Sequence, residues 1–277
     1  GHGLLYAVLL ASSSAALVMP VIDEAGIGTR PVLATIVQVA VADTACIVAL
    51  PLAEAPDRAG RAALGALAVL AAGALWYLIL RRLDRRGTVD RVHDLSKARH
   101  FGLELRISLI VLFGLAGLAQ LVGVSVMLAG FAAGLALGAV GEPRRLARQL
   151  FAVTDGFLGP VFFVWLGASL DLRALAEHPV MIALAGALAL GTVVVHTAAR
   201  LLGQPLPLAV LAGAQLGVPV AAVTIGTREH LLAAGEGGAL LAAALISVGV
   251  TAWAASAAVR NARERVSDEQ PDRGGAA

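Results

Sequence analysis

The chain has 277 residues, of which 58% are hydrophobic and only 14% are charged, and its formal net charge is +2. A soluble globular domain usually has about a quarter of its residues charged, so this composition excludes an ordinary soluble protein. The single cysteine, Cys46, excludes an internal disulfide bond. The long apolar runs do not alternate with polar residues as the strands of a membrane barrel would. The predicted fold class is therefore all-α, a polytopic transmembrane helical bundle.

Apolar segments follow one another along most of the chain, with polar stretches between most of them. We predict about nine membrane-spanning helices from their lengths. The segments are 3–21, 31–53, 61–80, 104–121, 123–140, 156–171, 179–201, 205–227 and 237–259. Residues 1–260 are thus predicted to form one transmembrane domain, and the polar residues 261–277 a disordered tail.

The basic residues divide unevenly between the two sides of this arrangement. Of the 21 Lys and Arg residues, 17 fall on one side and 4 on the other, namely Arg58, Arg61, Arg173 and Arg228. Because cytoplasmic loops are enriched in basic residues, the stretch Arg81–His100 and the tail are predicted to be cytoplasmic. We expect a multi-pass protein of the inner (plasma) membrane. The chain begins Gly-His-Gly, without a basic leader, so we expect it to be an internal part of a longer protein.

Two of the predicted helices contain clustered helix breakers. The first has Ser12–Ser14 near its middle and Pro20 near its end; the eighth has Gly213, Gln215, Gly217 and Pro219. Proline and glycine weaken a helix, and a pair of discontinuous helices is typical of a transporter's ion site. We predict interruptions near Ser12–Ser14 and Gly217–Pro219 that approach each other. The alternative is an ordinary proline kink in each helix.

Asp43 lies inside the second apolar segment. It is about 18 Å from Pro31 along a span of about 30 Å, close to the membrane midplane. A carboxylate at that depth costs at least about 2.5–3.5 kcal/mol on insertion scales, so a function is the default hypothesis. A proton and a monovalent cation, Na⁺ or K⁺, can compete for one carboxylate, which is the minimal chemistry of an antiporter. The alternative is a protonated Asp43 that bonds to a neighbouring helix.

Neighbouring oxygen atoms could complete a cation site at Asp43, since hard cations prefer oxygen ligands. The candidates are Thr44, Gln38, Ser12, Ser13 and Ser14. For each hydroxyl group taken alone, a hydrogen bond to its own helix is the competing interpretation. His196 is a possible charge partner of the carboxylate. It is only about 9 Å from the end of its helix, so a histidine at the membrane interface is the alternative.

Nothing in the sequence indicates catalysis. Cys/His metal spacings, phosphate-binding loops and Ser/His/Asp sets at a common depth are all absent from it. We therefore predict no enzyme, no cofactor and no nucleic-acid partner. A membrane sensor or intramembrane enzyme would need a second buried catalytic group at the depth of Asp43.

Four stretches together resemble the monovalent cation:proton antiporter superfamily, specifically bacterial sodium or potassium/proton exchangers. They are Ser12–Glu24 (SSSAALVMPVIDE), Val41–Leu50 (VADTACIVAL), Gly123–Gly134 (GVSVMLAGFAAG) and Gly159–Asp171 (GPVFFVWLGASLD). The first resembles the family's unwound helix, and the second resembles the helix that holds its ion-binding aspartate. In this sequence Ala42 precedes that aspartate, and His196 aligns approximately where the family commonly has Lys or Arg.

The resemblance implies a thirteen-helix inverted-repeat fold with two discontinuous crossing helices, of which this chain would supply the last nine. It implies a homodimer, with residues 104–171 in the dimerisation domain. The implied function is secondary active exchange of a monovalent cation for protons. One carboxylate, Asp43, predicts an electroneutral one-for-one exchange. A gated potassium efflux system of the same superfamily is the alternative within transport.

Overall fold

Helices account for all regular structure in the part of the chain that the structure, a computed structural model, describes: residues 2–25, 29–54, 59–85, 103–141 and 144–269. The α-helices are α1 Gly3–Ala11, α2 Ala15–Ala25, α3 Arg30–Glu54, α4 Ala59–Arg85, α5 Leu103–Leu121, α6 Val126–Val140, α7 Arg144–Val153, α8 Gly159–Ala168, α9 Leu172–Glu177, α10 Pro179–Thr197, α11 Leu206–Leu211, α12 Gly217–Arg228 and α13 Glu236–Glu269. A π-helical turn, Thr154–Leu158, joins α7 to α8, and a 3₁₀ turn, Ala198–Leu202, follows α10.

Most of these helices are apolar enough to lie in a bilayer. Six helical stretches of the described residues have the length and hydropathy of membrane spans: Gly3–Asp23, Arg30–Ala53, Ala59–Arg85, Gln149–Glu177, Pro179–Leu202 and Glu236–Ala257. Leu105–Leu121 and Val126–Val140 are shorter apolar helices. Together with α11 and α12, these stretches coincide with the nine predicted segments. The all-α polytopic fold class is confirmed.

One compact unit contains Gly1–Leu50 and Asp171–Ala277. Within it, α13 packs against α10, α11 and α12, and α1 packs against α10. Leu240 and Ala244 of α13 and Leu211 of α11 are buried. Gly191 of α10 lies so close to Leu10 of α1 that an added Cβ would be 2.7 Å from Leu10 Cδ2. This close approach places α1 directly on α10.

The other compact unit contains Pro51–Leu170. Here α6 packs against both α4 and α5. Gly73 lets α4 approach α6, because a Cβ at that position would be 2.8 Å from the Cβ of Ala132. Ser125 begins α6 by accepting a hydrogen bond from the backbone N–H of Met127, and Gly141 ends it with a positive φ of 82°.

The predicted polar connections are only partly described. α4 extends to Arg85, so most of the predicted cytoplasmic stretch Arg81–His100 lies outside the described residues. α13 continues to Glu269, beyond the predicted start of the tail at Asn261. Arginine and glutamate, which are good helix formers, make up four of the nine residues of this extension, Asn261–Glu269. Residues 270–277 lie outside the described residues.

Candidate ion-binding site

The first predicted interruption lies at Ser12–Ser14, between α1 and α2. α1 ends at Ala11, and Ser12 has extended backbone angles, φ −72° and ψ 151°. The three serines are buried, at 0%, 2% and 5% exposure. The Ser12 hydroxyl donates to the carbonyl oxygen of Leu9 at 2.8 Å. Three consecutive serines end a helix readily because their hydroxyl groups compete with the backbone for hydrogen bonds.

The second interruption lies between α11, which ends at Leu211, and α12, which begins at Gly217. It therefore lies immediately before Gly217–Pro219, the residues near which it was predicted. Pro219 is the third residue of α12. Backbone N–H groups in a first helical turn have no partner within the helix, so proline is tolerated there and does not break it.

The two interruptions contact each other within the unit formed by residues 1–50 and 171–277. Ser13 Oγ donates to the carbonyl oxygen of Ala212 at 2.6 Å. The side-chain amide of Gln215 donates to the carbonyl oxygen of Leu9, and its nitrogen is 3.4 Å from the carbonyl oxygen of Ser12. The predicted approach of the two interrupted helices is confirmed, since each interruption supplies a donor for the other.

Asp43 reaches this crossing from α3. Its Oδ2 accepts a hydrogen bond of 3.2 Å from the backbone N–H of Ala15, the first residue of α2. Cys46, one helical turn further along α3, donates from Sγ to the carbonyl oxygen of Val8 at 3.4 Å. One face of α3 therefore contacts the first interrupted helix before and after its break. The carboxylate occupies the end of α2 where the helix dipole favours negative charge.

The other predicted ligands on α3 are less well placed. At 100° per residue, Gln38 lies about 140° around α3 from Asp43, and Thr44 lies about 100° away. Both side chains are half-buried. Ser13 and Ser14 are close to Asp43 through their neighbour Ala15, whereas Gln38 faces another side of its helix. The roles of these four residues in binding a cation stay predictions.

His196 is buried, with 4% exposure. Its Nδ1 is 2.9 Å from the carbonyl oxygen of Thr192. Its ring lies against the second interruption, where a Cβ on Gly213 would be 3.6 Å from the Cβ and Cγ of His196. The interruption comes after only 6 residues of α11, about 9 Å into that helix. His196 therefore lies beside the second interruption, and its role as a charge partner of Asp43 stays a prediction.

Glu236 is a second buried carboxylate, which the sequence reasoning missed. It is 2% exposed and begins α13. Its Oε1 accepts a hydrogen bond of 2.6 Å from the Tyr6 hydroxyl and lies 2.6 Å from Nδ1 of His2. Its Oε2 accepts a hydrogen bond of 2.8 Å from the backbone N–H of Ala233. The signal in the sequence is an acidic residue in the first turn of an apolar helix, where negative charge is favourable.

The oxygen atoms of the crossing suit a hard cation better than a soft transition metal. Among the described residues, the structure contains no group of three or more His, Cys, Asp and Glu side chains that could hold a metal ion. Carboxylate, hydroxyl and carbonyl oxygens dominate the crossing, and such hard ligands suit hard cations and protons.

Known proteins share this sequence pattern. Residues 1–260 match the family model described as sodium/hydrogen exchanger, transmembrane. The chain is 30% identical over 210 residues to the glutathione-regulated potassium-efflux system protein KefC of Salmonella typhi. The KefC proteins of Salmonella newport and Salmonella heidelberg are equally similar. These matches cover 73% of this chain but 33% of each relative, so the chain spans about a third of their length.

No solved structure matches the chain. The family match covers all the helices that build the crossing. The number of apolar helices shows that this is a multi-pass membrane protein. The chain belongs to the sodium/hydrogen exchanger transmembrane family.

Proposed function

We propose that this chain forms the ion-translocating part of a secondary active transporter that exchanges a monovalent cation, Na⁺ or K⁺, for protons. Asp43 binds the proton and the cation alternately. Ser13 and Ser14 are the nearest predicted hydroxyl ligands, Thr44 and Gln38 are the more distant ones, and His196 is the candidate charge partner. The protein acts as a transporter and not as an enzyme.

The position of Asp43 is the observation that carries this proposal. Its carboxylate lies at the crossing of two interrupted helices, where it accepts a hydrogen bond from the first residue of α2. Interrupted helices expose backbone oxygens and N–H groups at membrane depth, and transporters use these groups to bind ions. A carboxylate in this place can release a proton when a cation arrives and take one up when the cation leaves.

Cation-driven proton movement in proteoliposomes that hold the full-length protein tests the proposal. Addition of Na⁺ or K⁺ should drive protons across the membrane, and Asp43→Asn should abolish the movement. Asp171→Asn is the matched control, since Asp171 is exposed and its Oδ1 likewise accepts a backbone hydrogen bond, from Ala174 at 2.8 Å. Normal exchange by the Asp43→Asn protein would refute the proposed mechanism.

Gated potassium efflux is the second candidate function. The printed names of the similar Salmonella proteins describe a glutathione-regulated potassium-efflux system, which favours K⁺ as the cation. Potassium flux measured with and without glutathione separates the two candidates. Efflux that responds to glutathione supports the second, whereas cation/proton exchange that is indifferent to glutathione supports the first.

The exchange is proposed to be electroneutral, with one proton against one cation. Glu236 does not join Asp43 in this proposal, because it bonds to Tyr6 whereas Asp43 bonds to Ala15 beyond the interruption. Tyr6 is about 8 Å from the end of α1 along the helix axis, and this length of helix lies between the contact of Glu236 and the contact of Asp43. An imposed membrane potential should therefore leave the exchange rate unchanged. Turnover driven by the potential would contradict the stoichiometry without contradicting the role of Asp43.

We propose that the protein is a homodimer in the inner membrane, with residues 1–260 as its transmembrane domain and residues 261–277 as a cytoplasmic tail. The distribution of basic residues supports this orientation. Asp90→Cys in a Cys46→Ser background should not react with an impermeant thiol reagent applied outside intact cells. Labelling from outside would contradict the orientation.

A further inference from the structure

Gln215 holds the end of α1, and the proposed mechanism does not use it. Its side chain is 4% exposed. The amide donates to the carbonyl oxygen of Leu9 and lies 3.4 Å from that of Ser12. Both neighbours are carbonyl oxygens, which only accept hydrogen bonds, so the amide nitrogen and not the amide oxygen must face them.

The backbone of Gln215 is anchored as well. Its N–H donates to Ser247 Oγ of α13 at 3.1 Å. The Ser247 hydroxyl in turn donates to the carbonyl oxygen of Ala244 at 2.7 Å. Gln215 is therefore fixed at both its backbone and its side chain between α13 and the end of α1.

The carbonyl end of an interrupted helix is where a cation would otherwise bind. The last carbonyl groups of a helix have no partner within it and bear a partial negative charge. In transporters with discontinuous helices, such carbonyls coordinate Na⁺. At the end of α1, the N–H and the hydroxyl group of Ser12 donate to the carbonyl oxygen of Leu9. The uncharged amide of Gln215 occupies the remaining place, beside the carbonyl oxygens of Leu9 and Ser12.

We propose that Gln215 is a positioning residue of the exchange site, whose side-chain amide fills the carbonyl end of α1 and restricts the transported cation to the side of the crossing that holds Asp43. This inference rests on the proposed function for its cation. The amide keeps the ligand set small and the cation weakly held, so that a proton can displace it.

Gln215→Met tests this inference, because methionine has a similar length but no donor. The carbonyl oxygen of Leu9 keeps its hydrogen bonds from the N–H and the hydroxyl group of Ser12. The carbonyl oxygen of Ser12 loses the amide at 3.4 Å and becomes an additional ligand for the cation. The apparent Kd for the transported cation, measured by thermal stabilisation of the full-length protein in detergent, should fall about five-fold, the factor for one hydrogen bond. The KM for exchange should fall in parallel, without a rise in kcat.

Gln215→Glu is the second variant, in case the methionine variant does not fold. It keeps the shape but replaces the amide donor with a carboxylate, so the Kd for the cation should also fall. Gln204→Met is the matched control. Its amide donates to Thr35 Oγ1 at 2.6 Å, a contact that involves neither interruption, and the Kd should stay unchanged.

A Kd that stays the same or rises in both Gln215 variants would overturn the inference, and so would an equal fall in the Gln204→Met control. A loss of kcat alone would likewise overturn it, because it indicates a purely structural role. Failure of the proposed function is distinguishable: a wild-type protein that binds a cation but moves no protons refutes exchange, while the Kd still decides the role of Gln215. A wild-type protein that binds no monovalent cation refutes both.

Discussion

Two carboxylates in the same compact unit, Asp43 and Glu236, have very different surroundings. Glu236 is buried, and a tyrosine, a histidine and a backbone N–H group lie within hydrogen-bonding distance of it. Asp43 is half-buried, and within the described residues it accepts one hydrogen bond, from Ala15. An ionised carboxylate has about four acceptor positions. Described groups fill most of these positions on Glu236, whereas on Asp43 they fill one.

The comparison teaches that burial alone does not identify the exchanging group. By burial, Glu236 would be the stronger candidate. Asp43 is the stronger candidate by its place at the crossing and by the smaller number of described hydrogen bonds to its carboxylate. Glu236 instead fastens α13 to the beginning of α1, and we expect it to stabilise the fold and not to exchange ions.

Changing the pH should have the largest effect. In the proposed mechanism, proton and cation compete for Asp43, so the apparent KM for the cation should fall up to about ten-fold per unit of rising pH until Asp43 is fully ionised. Glu236→Gln should show the same dependence, since the proposal places the shared site at Asp43 alone. Initial rates of exchange in proteoliposomes between acidic and alkaline pH measure it. A KM that is independent of pH in the wild type, or a dependence lost in Glu236→Gln, would break the distinction between the two carboxylates.

Glu236→Gln should affect folding more than exchange. In one orientation, the amide nitrogen of the new glutamine faces the N–H of Ala233, so two donors meet. In the other, it faces Tyr6 and His2, and their donors lose an acceptor. Either arrangement should lower the free energy of unfolding by about 1–3 kcal/mol. Thermal unfolding in detergent measures the loss. Glu177→Gln is the matched control, because the Glu177 side chain is 59% exposed, and its change should stay within about 0.5 kcal/mol. Unchanged stability with lost exchange would show that Glu236 belongs to the ion site.

Tyr6→Phe removes a single donor from Glu236 and should cost about 1 kcal/mol. Tyr77→Phe, in the other compact unit, removes a hydroxyl group from a half-buried ring and is the control. Thermal unfolding of the two variants under the same conditions gives the difference. A larger loss in the control would contradict the structural role of the Tyr6 hydroxyl.

His196→Ala should have the smallest effect, a two- to five-fold lower exchange rate, or about 0.5–1 kcal/mol. The imidazole packs against the second interruption and bonds to its own helix, and it supports the crossing without contacting Asp43 in the described contacts. His178→Ala is the control, because it removes an exposed histidine whose Nδ1 likewise lies within hydrogen-bonding distance of the carbonyl oxygen four residues earlier, that of Ala174. Complete loss of exchange in His196→Ala would contradict this expectation and indicate that His196 interacts directly with the Asp43 carboxylate.

The sequence predicted the helices and the first interruption, because local signals determine both. Runs of apolar residues indicate spans, and three successive serines weaken a helix because their hydroxyl groups compete with the backbone for hydrogen bonds. The second interruption lies a few residues before Pro219. Proline breaks a helix in its interior but is tolerated in the first turn, which is where Pro219 lies. Sequence alone could not show which position Pro219 would take.

Contacts between distant segments could not be predicted in the same way. Gln215 was recognised only as one of several residues in a broken segment, and its bond to Leu9 joins residues about 200 positions apart in sequence. Glu236 was missed because it lies at the edge of an apolar segment, where an acidic residue is ordinarily solvated. Its burial depends on Tyr6 and His2, which come from the opposite end of the chain.

Release of protons on cation binding tests the shared role of Asp43 most directly. In weakly buffered detergent solution, below the pH at which Asp43 is fully ionised, the full-length protein should release up to about one proton for each Na⁺ or K⁺ bound. Asp171→Asn should release the same number, and Asp43→Asn should release none. Cation binding without proton release in the wild type, or undiminished release by Asp43→Asn, would contradict the account.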